Sequence, residues 1–313
     1  MDTKDPRAVA SKVGDQSDQP LTTETSQNEH DRPTDGAVLP AHGTMAAPIV
    51  VVGATGTIGR AIVRTLVADG APVVAVARRR EKLEHLRDAA TPGAIVPIVG
   101  DITSERDAEE LVGRLRGLGR PFAGVVVAFP HGRSAEIGVD RSRLLDQSTA
   151  DLADCLEQTL LAQHALARHL IPLLAGSGRN ARYVIVGGPG SETPWAGYGH
   201  RSVAMAATRM LVRVLHDEAR AGGVRVQMVS IDSPVRNEQP GEHECPEWPT
   251  AGDVARRVAQ LVDCTAQPSS TEAVVACARS QPTCSGGRIA RAFGDVPSFL
   301  ASLRNTTNKI TPQ

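Results

Sequence analysis

Three glycines carry the first chemical signal in this chain. Gly53, Gly56 and Gly59 follow the apolar, β-branched run Ile49 to Val52 and precede a segment with helical apolar spacing, Ile58, Ala61, Ile62 and Leu66. Without a Cβ, the backbone turns tightly there and can approach a ligand closely. A helix that starts at such a turn offers free N–H groups and the positive end of its dipole. Together these suit a pyrophosphate. Glycines alone are weak evidence, but glycines between a buried strand and an amphipathic helix, within a unit of about 30 residues, are much stronger.

The elements that must position this turn read as strand, turn, helix, strand, helix over Pro48 to Leu86. Gly70 and Pro72 stop the first helix, and Val73 to Ala77 is a second buried strand. Further on, strands are predicted at Ala94–Val99, Phe122–Phe129, Arg182–Val186, Val224–Ile231 and Glu272–Ala278. Helices are predicted at Glu81–Ala90, Asp107–Leu118, Ala150–Leu174, Tyr198–Ala221, Thr250–Asp263 and, briefly, Ser298–Leu303. The apolar positions of the Ala150–Leu174 helix run Leu152, Leu156, Leu160, Leu161, Ala165, Leu166 and Leu170. Strands alternating with helices imply an α/β, Rossmann-like, doubly wound parallel sheet in a single domain. The third strand is expected beside the first before the order switches to the fourth. The ligand crevice then lies at the C-terminal strand ends, lined by the loops after Val52, Ala77, Val99, Ala128, Val186 and Ile231.

Residues 1–44 are polar, with almost no large apolar side chains, and are expected as a disordered tail. The domain is expected over 45–280 and a C-terminal extension over 281–313. With 313 residues and a formal net charge of −1, the chain has no general attraction for nucleic acid or an anionic membrane. It has no apolar run of the roughly 20 residues a membrane helix needs, and its N-terminus has no apolar core like a secretory signal. Cys155, Cys245, Cys264, Cys277 and Cys284 are scattered without paired spacing. That suggests reduced thiols in a cytoplasmic protein, with no disulfide framework and no metal site. His243, Glu244 and Cys245 are adjacent in sequence and fit a solvated loop better than an ion. No lysine lies between Lys82 and Lys309, which excludes any mechanism needing a lysine from the second half of the fold.

The motifs VVVGATGTIGRAI, VAVARRREKLEHL, GDIT, HLIPLL, Tyr198 at a helix start, DSPVRN and PTAGDVARRVAQLV, in this order, resemble the short-chain dehydrogenase/reductase family. The likeness covers about Pro48 to Ala278. It implies a nicotinamide cofactor held by Gly53, Thr55, Gly56, Thr57, Ile58 and Gly59. The usual single-domain member has its middle glycine where Thr57 stands, so the turn is closer to atypical or extended members. Ala77 occupies the place where an NAD-preferring member carries an acid for the ribose 2′-hydroxyl. Arg78 and Arg79 follow it, and a guanidinium can bind a 2′-phosphate bidentately. The implied cofactor is NADP(H). Asp101 matches the acid that meets the adenine amino group, Ile102 would pack on the ring, and Ala128 ends the fourth strand beside the cofactor.

The catalytic pattern of the family is degenerate here. Its members reduce carbonyls with Asn, Ser, Tyr and Lys. Tyr198 matches the Tyr, but Ser202 stands where Lys belongs. The Ser position falls near Gly187 or Gly188, and the Asn position near Gln158 or Thr159. A free tyrosine ionises near about pH 10, and a nearby cation is what makes it an effective acid or base near neutrality. Ser202 brings no charge. Arg201 brings one, but rotated by about 100° around the helix. The candidate catalytic set is therefore Tyr198 assisted by Ser202, Arg201 or His131, with His200 near the pocket. Phe129, Trp195 and Ser191 are the candidate pocket residues, with Trp195 preferred for its closeness to Tyr198.

Two functions follow from the resemblance. One is an NADP(H)-dependent oxidoreductase acting on a carbonyl or activated double bond of a small molecule, such as a secondary metabolite. The other is a protein of the same fold that has left ordinary ketoreduction for cyclisation, isomerisation or dehydration of a biosynthetic intermediate, or for sensing the cofactor without turnover. The intact cofactor half favours the first; the missing Lys and Ser favour the second. A regulator that binds nucleic acid is disfavoured, because no basic stripe with interleaved aromatics is present. The family's usual assembly implies a homodimer or homotetramer through the helices at 150–174 and 198–221.

Overall fold

The computed structural model describes residues 47–128, 143–178, 180–195, 197–236, 246–263 and 271–277. The expected tail, the C-terminal extension, the helix at 298–303, His131 and Phe129 lie outside these residues.

Seven parallel strands form one sheet in the order β3-β2-β1-β4-β5-β6-β7. They are β1 (Ile49–Val52), β2 (Val73–Ala77), β3 (Ile95–Val99), β4 (Gly124–Val127), β5 (Ala181–Val186), β6 (Val224–Ser230) and β7 (Val274–Ala276). The strands are rich in Val and Ile because both faces are covered, which removes the polar alternation of a half-exposed sheet. The helices are α1 (Thr57–Ala68), α2 (Arg80–Asp88), α3 (Glu105–Gly117), α4 (Thr149–Leu156), α5 (Ala162–Ala175), α6 (Gly199–Ala219) and α7 (Ala251–Val262). One apolar core packs α3, α5 and α6 against Val50, Val52, Val125, Val127, Tyr183 and Ile185. The other packs α1, α2 and α7 against Ile49, Val51, Ala75, Val126, Val184 and Val229. Successive strand residues thus feed opposite cores, as the two-residue period requires.

One strand position differs from expectation. β2, and not β3, borders β1, with Ile49 paired to Val73, while β3 sits outside β2. β1 also pairs with β4, Val52 opposite Val127, so the order reverses between β1 and β4. The connections from β1 to β2 and from β2 to β3 each step one strand outward, which carries β3 to the edge.

The segment expected as one helix over 150–174 is two helices joined by a π-helical turn, Glu157–Leu161. Its extra residue rotates the apolar face. Thr159 is fully buried, and Leu161, expected inside, is 56% exposed. Capping boxes fix three helix starts, at Ser104, Ser148 and Thr250, each paired with an aspartate three residues on. Among the described residues no helix is long and apolar enough to cross a membrane.

Candidate active site

The cofactor half is built where β1 meets α1. The N–H groups of Gly53 and Ala54 donate to the Val76 carbonyl at 2.9 and 3.1 Å, which draws the turn over β2. Gly53 has φ +82°, in the left-handed region that glycine tolerates best. Gly56 caps α1, and no side chain bonds to the helix end. A Cβ on Gly59 would stand 2.1 Å from the Gly53 carbonyl oxygen and 3.0 Å from the Ala54 Cα. The first turn of α1 therefore lies directly on the loop. Thr57 is exposed, while Thr55 and Ile58 are half-buried at the rim. This cradle supplies what a pyrophosphate needs: backbone donors and a dipole end that no side chain caps among the described residues.

Ala77 ends β2, buried. Arg78 and Arg79 follow it, both exposed, and neither is paired with a carboxylate among the described residues. Gly100 donates to the Ala77 carbonyl at 3.1 Å, which holds the β3 end beside the β2 end. Asp101 is exposed, and one of its carboxylate oxygens accepts from the Ile102 N–H at 2.8 Å. Ala128 donates to the Val52 carbonyl at 2.9 Å and so stands at the β1/β4 reversal. The residues fit a dinucleotide: a glycine cradle open to a pyrophosphate, with two guanidinium groups unpaired among the described residues and a carboxylate at the neighbouring strand ends.

The other half is built by the loop after β5 and the start of α6. Tyr198 is the cap residue of α6 and not part of it, so the helix starts one residue later than its sequence suggests. Its phenol ring is only 8% exposed as a residue. Trp195 stacks on one side, with centroids 4.3 Å apart and planes inclined by 26°. The Arg201 guanidinium lies over the ring, 5.5 Å from its centroid. Since Tyr198 stands at the cap, Arg201, three residues on, reaches the ring despite its offset from the usual lysine position. The Tyr198 hydroxyl has no hydrogen-bond partner among the described residues.

Ser202 is placed differently from a catalytic group. Its hydroxyl donates to the Tyr198 carbonyl at 3.1 Å and accepts from the Trp195 N–H at 2.9 Å, and the residue is buried. Gly190, at φ +97°, packs on it: a Cβ there would stand 2.7 Å from the Ser202 hydroxyl. Ser191 is also buried, 3.5 Å from the Ser230 hydroxyl and 3.5 Å from the Arg209 guanidinium. Gly187 continues the β5–β6 pairing, donating to the Val229 carbonyl at 2.9 Å, and a Cβ on it would meet the Met228 Cε at 2.2 Å. The position near which a family serine is expected therefore has a methionine methyl against it.

Arg209, Ser230 and Gln163 escaped the sequence reading. Gln163 is fully buried in α5, and neither of its amide atoms finds a partner among the described residues. A charged or amide side chain at an inward position of an otherwise apolar helix was the available signal. Burial pushes the Cys155 thiol and the Tyr183 phenol upward in pKa, so both stay protonated near neutrality. Among the described residues no three His, Cys, Asp or Glu side chains converge as metal ligands.

The family model described as short chain dehydrogenase matches residues 47–233. No curated protein matches the chain in sequence. Many solved structures share its fold. A short-chain dehydrogenase from Streptomyces avermitilis superposes with a TM-score of 0.63 at 21% identity, covering 85% of this chain and 94% of that one. A short chain oxidoreductase from Pseudomonas aeruginosa PAO1, described as NADPH-bound with an atypical catalytic center, gives 0.61 at 20% identity, covering 74% and 95%. A metagenomic short-chain oxidoreductase in complex with NADP gives 0.58 at 22% identity, covering 75% and 98%.

Proposed function

The chain belongs to the short chain dehydrogenase family, and on that premise we propose that it is an NADP(H)-dependent oxidoreductase of a small-molecule carbonyl or activated double bond. The observation that carries this reading is the junction of β1 and α1, where Gly59 lies against Gly53 and no side chain caps the helix end, with Arg78 and Arg79, exposed and unpaired among the described residues, at the neighbouring strand end. The NADPH-bound Pseudomonas aeruginosa structure with an atypical catalytic center supports the same pairing of features here.

Gly53, Gly56 and Gly59 would hold the pyrophosphate, Arg78 and Arg79 the 2′-phosphate, and Asp101 and Ile102 the adenine. When bound, NADPH supplies a hydride to the electrophilic carbon. Tyr198 delivers the proton that the substrate oxygen gains. Its hydroxyl has no acceptor among the described residues, and Arg201 sets a positive charge against the ring that must carry the developing negative charge. Trp195 is the apolar wall beside it. Ser202 serves this site by holding Trp195 and Tyr198 in place, and Ser191 by anchoring the start of the same loop. The reading is of a cytoplasmic protein; the described cysteines, Cys155 and Cys277, are free thiols. It includes self-association through α6, where Val203, Met210 and Val214 share an exposed apolar face, with Leu161 of the π turn also exposed. Light scattering would show a species heavier than one chain; a monomer at micromolar concentration would remove that part.

Calorimetric titration with NADPH and with NADH tests the cofactor assignment. NADPH binding at least tenfold tighter than NADH supports it and leads to an absorbance screen of carbonyls and enones. No binding of either overturns it. A second reading, non-redox chemistry on a biosynthetic intermediate or cofactor sensing, is favoured by one observation: the site has neither a hydroxyl at Gly187 nor a cation at Ser202. Tight NADPH binding without turnover of any carbonyl or enone would select it.

A further inference from the structure

We propose that Arg209 is a positioning residue that fixes the course of the loop after β5 and thereby the stacking of Trp195 on Tyr198. The positioning stands on geometry alone; its consequence for activity rests on the oxidoreductase reading.

Arg209 belongs to α6, two turns beyond Ser202 on the same side of the helix. Its side chain is only 14% exposed although charged. One guanidinium nitrogen meets the Glu192 carboxylate at 3.2 Å. The other donates towards the Ser191 and Ser230 hydroxyls, at 3.5 Å each. Those hydroxyls are themselves 3.5 Å apart, and the Ser230 hydroxyl donates to the Asp232 carboxylate at 3.0 Å. One guanidinium thus ties the segment after β5, through Ser191 and Glu192, to the end of β6 and the segment after it.

The nature of the contacts points to positioning and not to ligand binding. Glu192 pairs directly with Arg209, and Asp232 reaches it through the Ser230 hydroxyl, so no net positive charge is left to attract an anion. The Glu192 side chain is 65% exposed, and an ion pair of that kind contributes about 0–1 kcal/mol. The Ser191 and Ser230 residues are 5% and 4% exposed, so their hydroxyls have little water to turn to once Arg209 is gone. The loop is then pinned at two places. Arg209 holds its start at Ser191, and the Ser202 hydroxyl holds its end at the Trp195 N–H. Gly190, at φ +97° and pressed against Ser202, turns the chain just before the first of these anchors. Two contacts in two directions call for a planar fork, which a lysine ammonium does not supply.

The test reads Trp195 directly. The chain has two tryptophans, so Trp248→Phe leaves Trp195 as the only indole. In that background, without any ligand, Arg209→Ala and Arg209→Lys are each expected to raise acrylamide quenching of Trp195 at least twofold and to weaken its near-ultraviolet circular dichroism. Glu192→Ala, which removes one arm of the fork but keeps the serine contacts, is expected to raise quenching by less than Arg209→Ala does. Far-ultraviolet circular dichroism checks that the helices persist. Should Arg209→Ala fail to fold, Ser230→Ala carries the test and is expected to move quenching the same way. Unchanged quenching in folded Arg209→Ala, or in Ser230→Ala where it stands in, overturns the proposal, as does full rescue by Arg209→Lys. Because no cofactor is present, the result stands whether or not NADPH binds; a separate NADPH titration of the parent protein decides the oxidoreductase reading.

Discussion

The Ser202 hydroxyl accepts a hydrogen bond from the Trp195 backbone N–H at 2.9 Å while donating to the Tyr198 carbonyl at 3.1 Å. The residue that stands in place of the family lysine is therefore a fastener of the loop that carries the aromatic pair. Ser202→Ala should destabilise the fold by about 1 kcal/mol, the usual contribution of such a bond, and raise the quenching of Trp195 while leaving NADPH affinity within twofold. Ser202→Lys should cost more than Ser202→Ala and restore no reductase activity, since Gly190 and the loop backbone fill the space around position 202. Denaturant melts and fluorescence decide both. A Ser202→Lys variant as stable as the parent would show that the hydroxyl is dispensable.

Gly59→Ala would push a methyl into the Gly53 backbone, whereas Gly56→Ala would place one 3.5 Å from the same carbonyl, an ordinary contact. Gly59→Ala should therefore lower stability by about 1–3 kcal/mol, the range for overpacking, and weaken NADPH binding at least tenfold. Gly56→Ala should change stability by less than about 1 kcal/mol. Calorimetry and thermal melts of the two variants side by side give the answer. Equal effects would mean that the closeness of α1 to the loop is not what matters.

Arg78→Ala combined with Arg79→Ala should weaken NADPH binding at least tenfold and NADH binding less than threefold, because only the former presents a 2′-phosphate to a guanidinium. Competition titrations with the two cofactors measure the ratio. Equal weakening would assign the arginines a general electrostatic role and remove the phosphate preference.

Tyr198→Phe removes the hydroxyl but keeps the ring between Trp195 and Arg201. Turnover of any substrate found by screening should fall at least tenfold, with NADPH affinity within twofold of the parent. Arg201→Gln should lower turnover in the same direction through the loss of charge beside the ring. Steady-state kinetics on both variants would show it; undiminished turnover by Tyr198→Phe would take Tyr198 out of the mechanism.

The start of α4 should be acid-sensitive. The Ser148 hydroxyl and backbone N–H, with His200 nearby, hold the Asp151 carboxyl below its ordinary range. A carboxyl depressed in the folded state stabilises it above the unfolded value, about 3.9, and that contribution disappears as the pH falls through the lower folded value. The difference in melting temperature between the parent and Asp151→Asn should accordingly be constant above about pH 5 and shrink below about pH 4. A difference independent of pH would mean that the cap acts through shape and not charge.

Much of this protein was determined by its sequence. β1, β2 and β5 fall where runs of Val and Ile predict them, because a strand covered on both faces must be apolar throughout. The glycine turn was equally legible, since a close approach of helix to loop leaves only one residue type at position 59. The resemblance to the family rested on these same segments. What the sequence did not decide was where polar side chains of the second half turn. From sequence Ser202 reads as a catalytic candidate and Ser191 as a pocket residue; the tertiary structure commits them to Trp195 and to Arg209. Leu161 and Thr159 exchange inside and outside because one extra residue in a π turn shifts the phase of the helix, and helical periodicity carries no marker of that shift. Arg209 and Ser230 lie on an element and a strand far apart in sequence and meet only once α6 lies on the sheet. Local pattern fixes the elements because it follows from burial; which hydroxyl meets which guanidinium depends on their packing, and only the folded chain decides that.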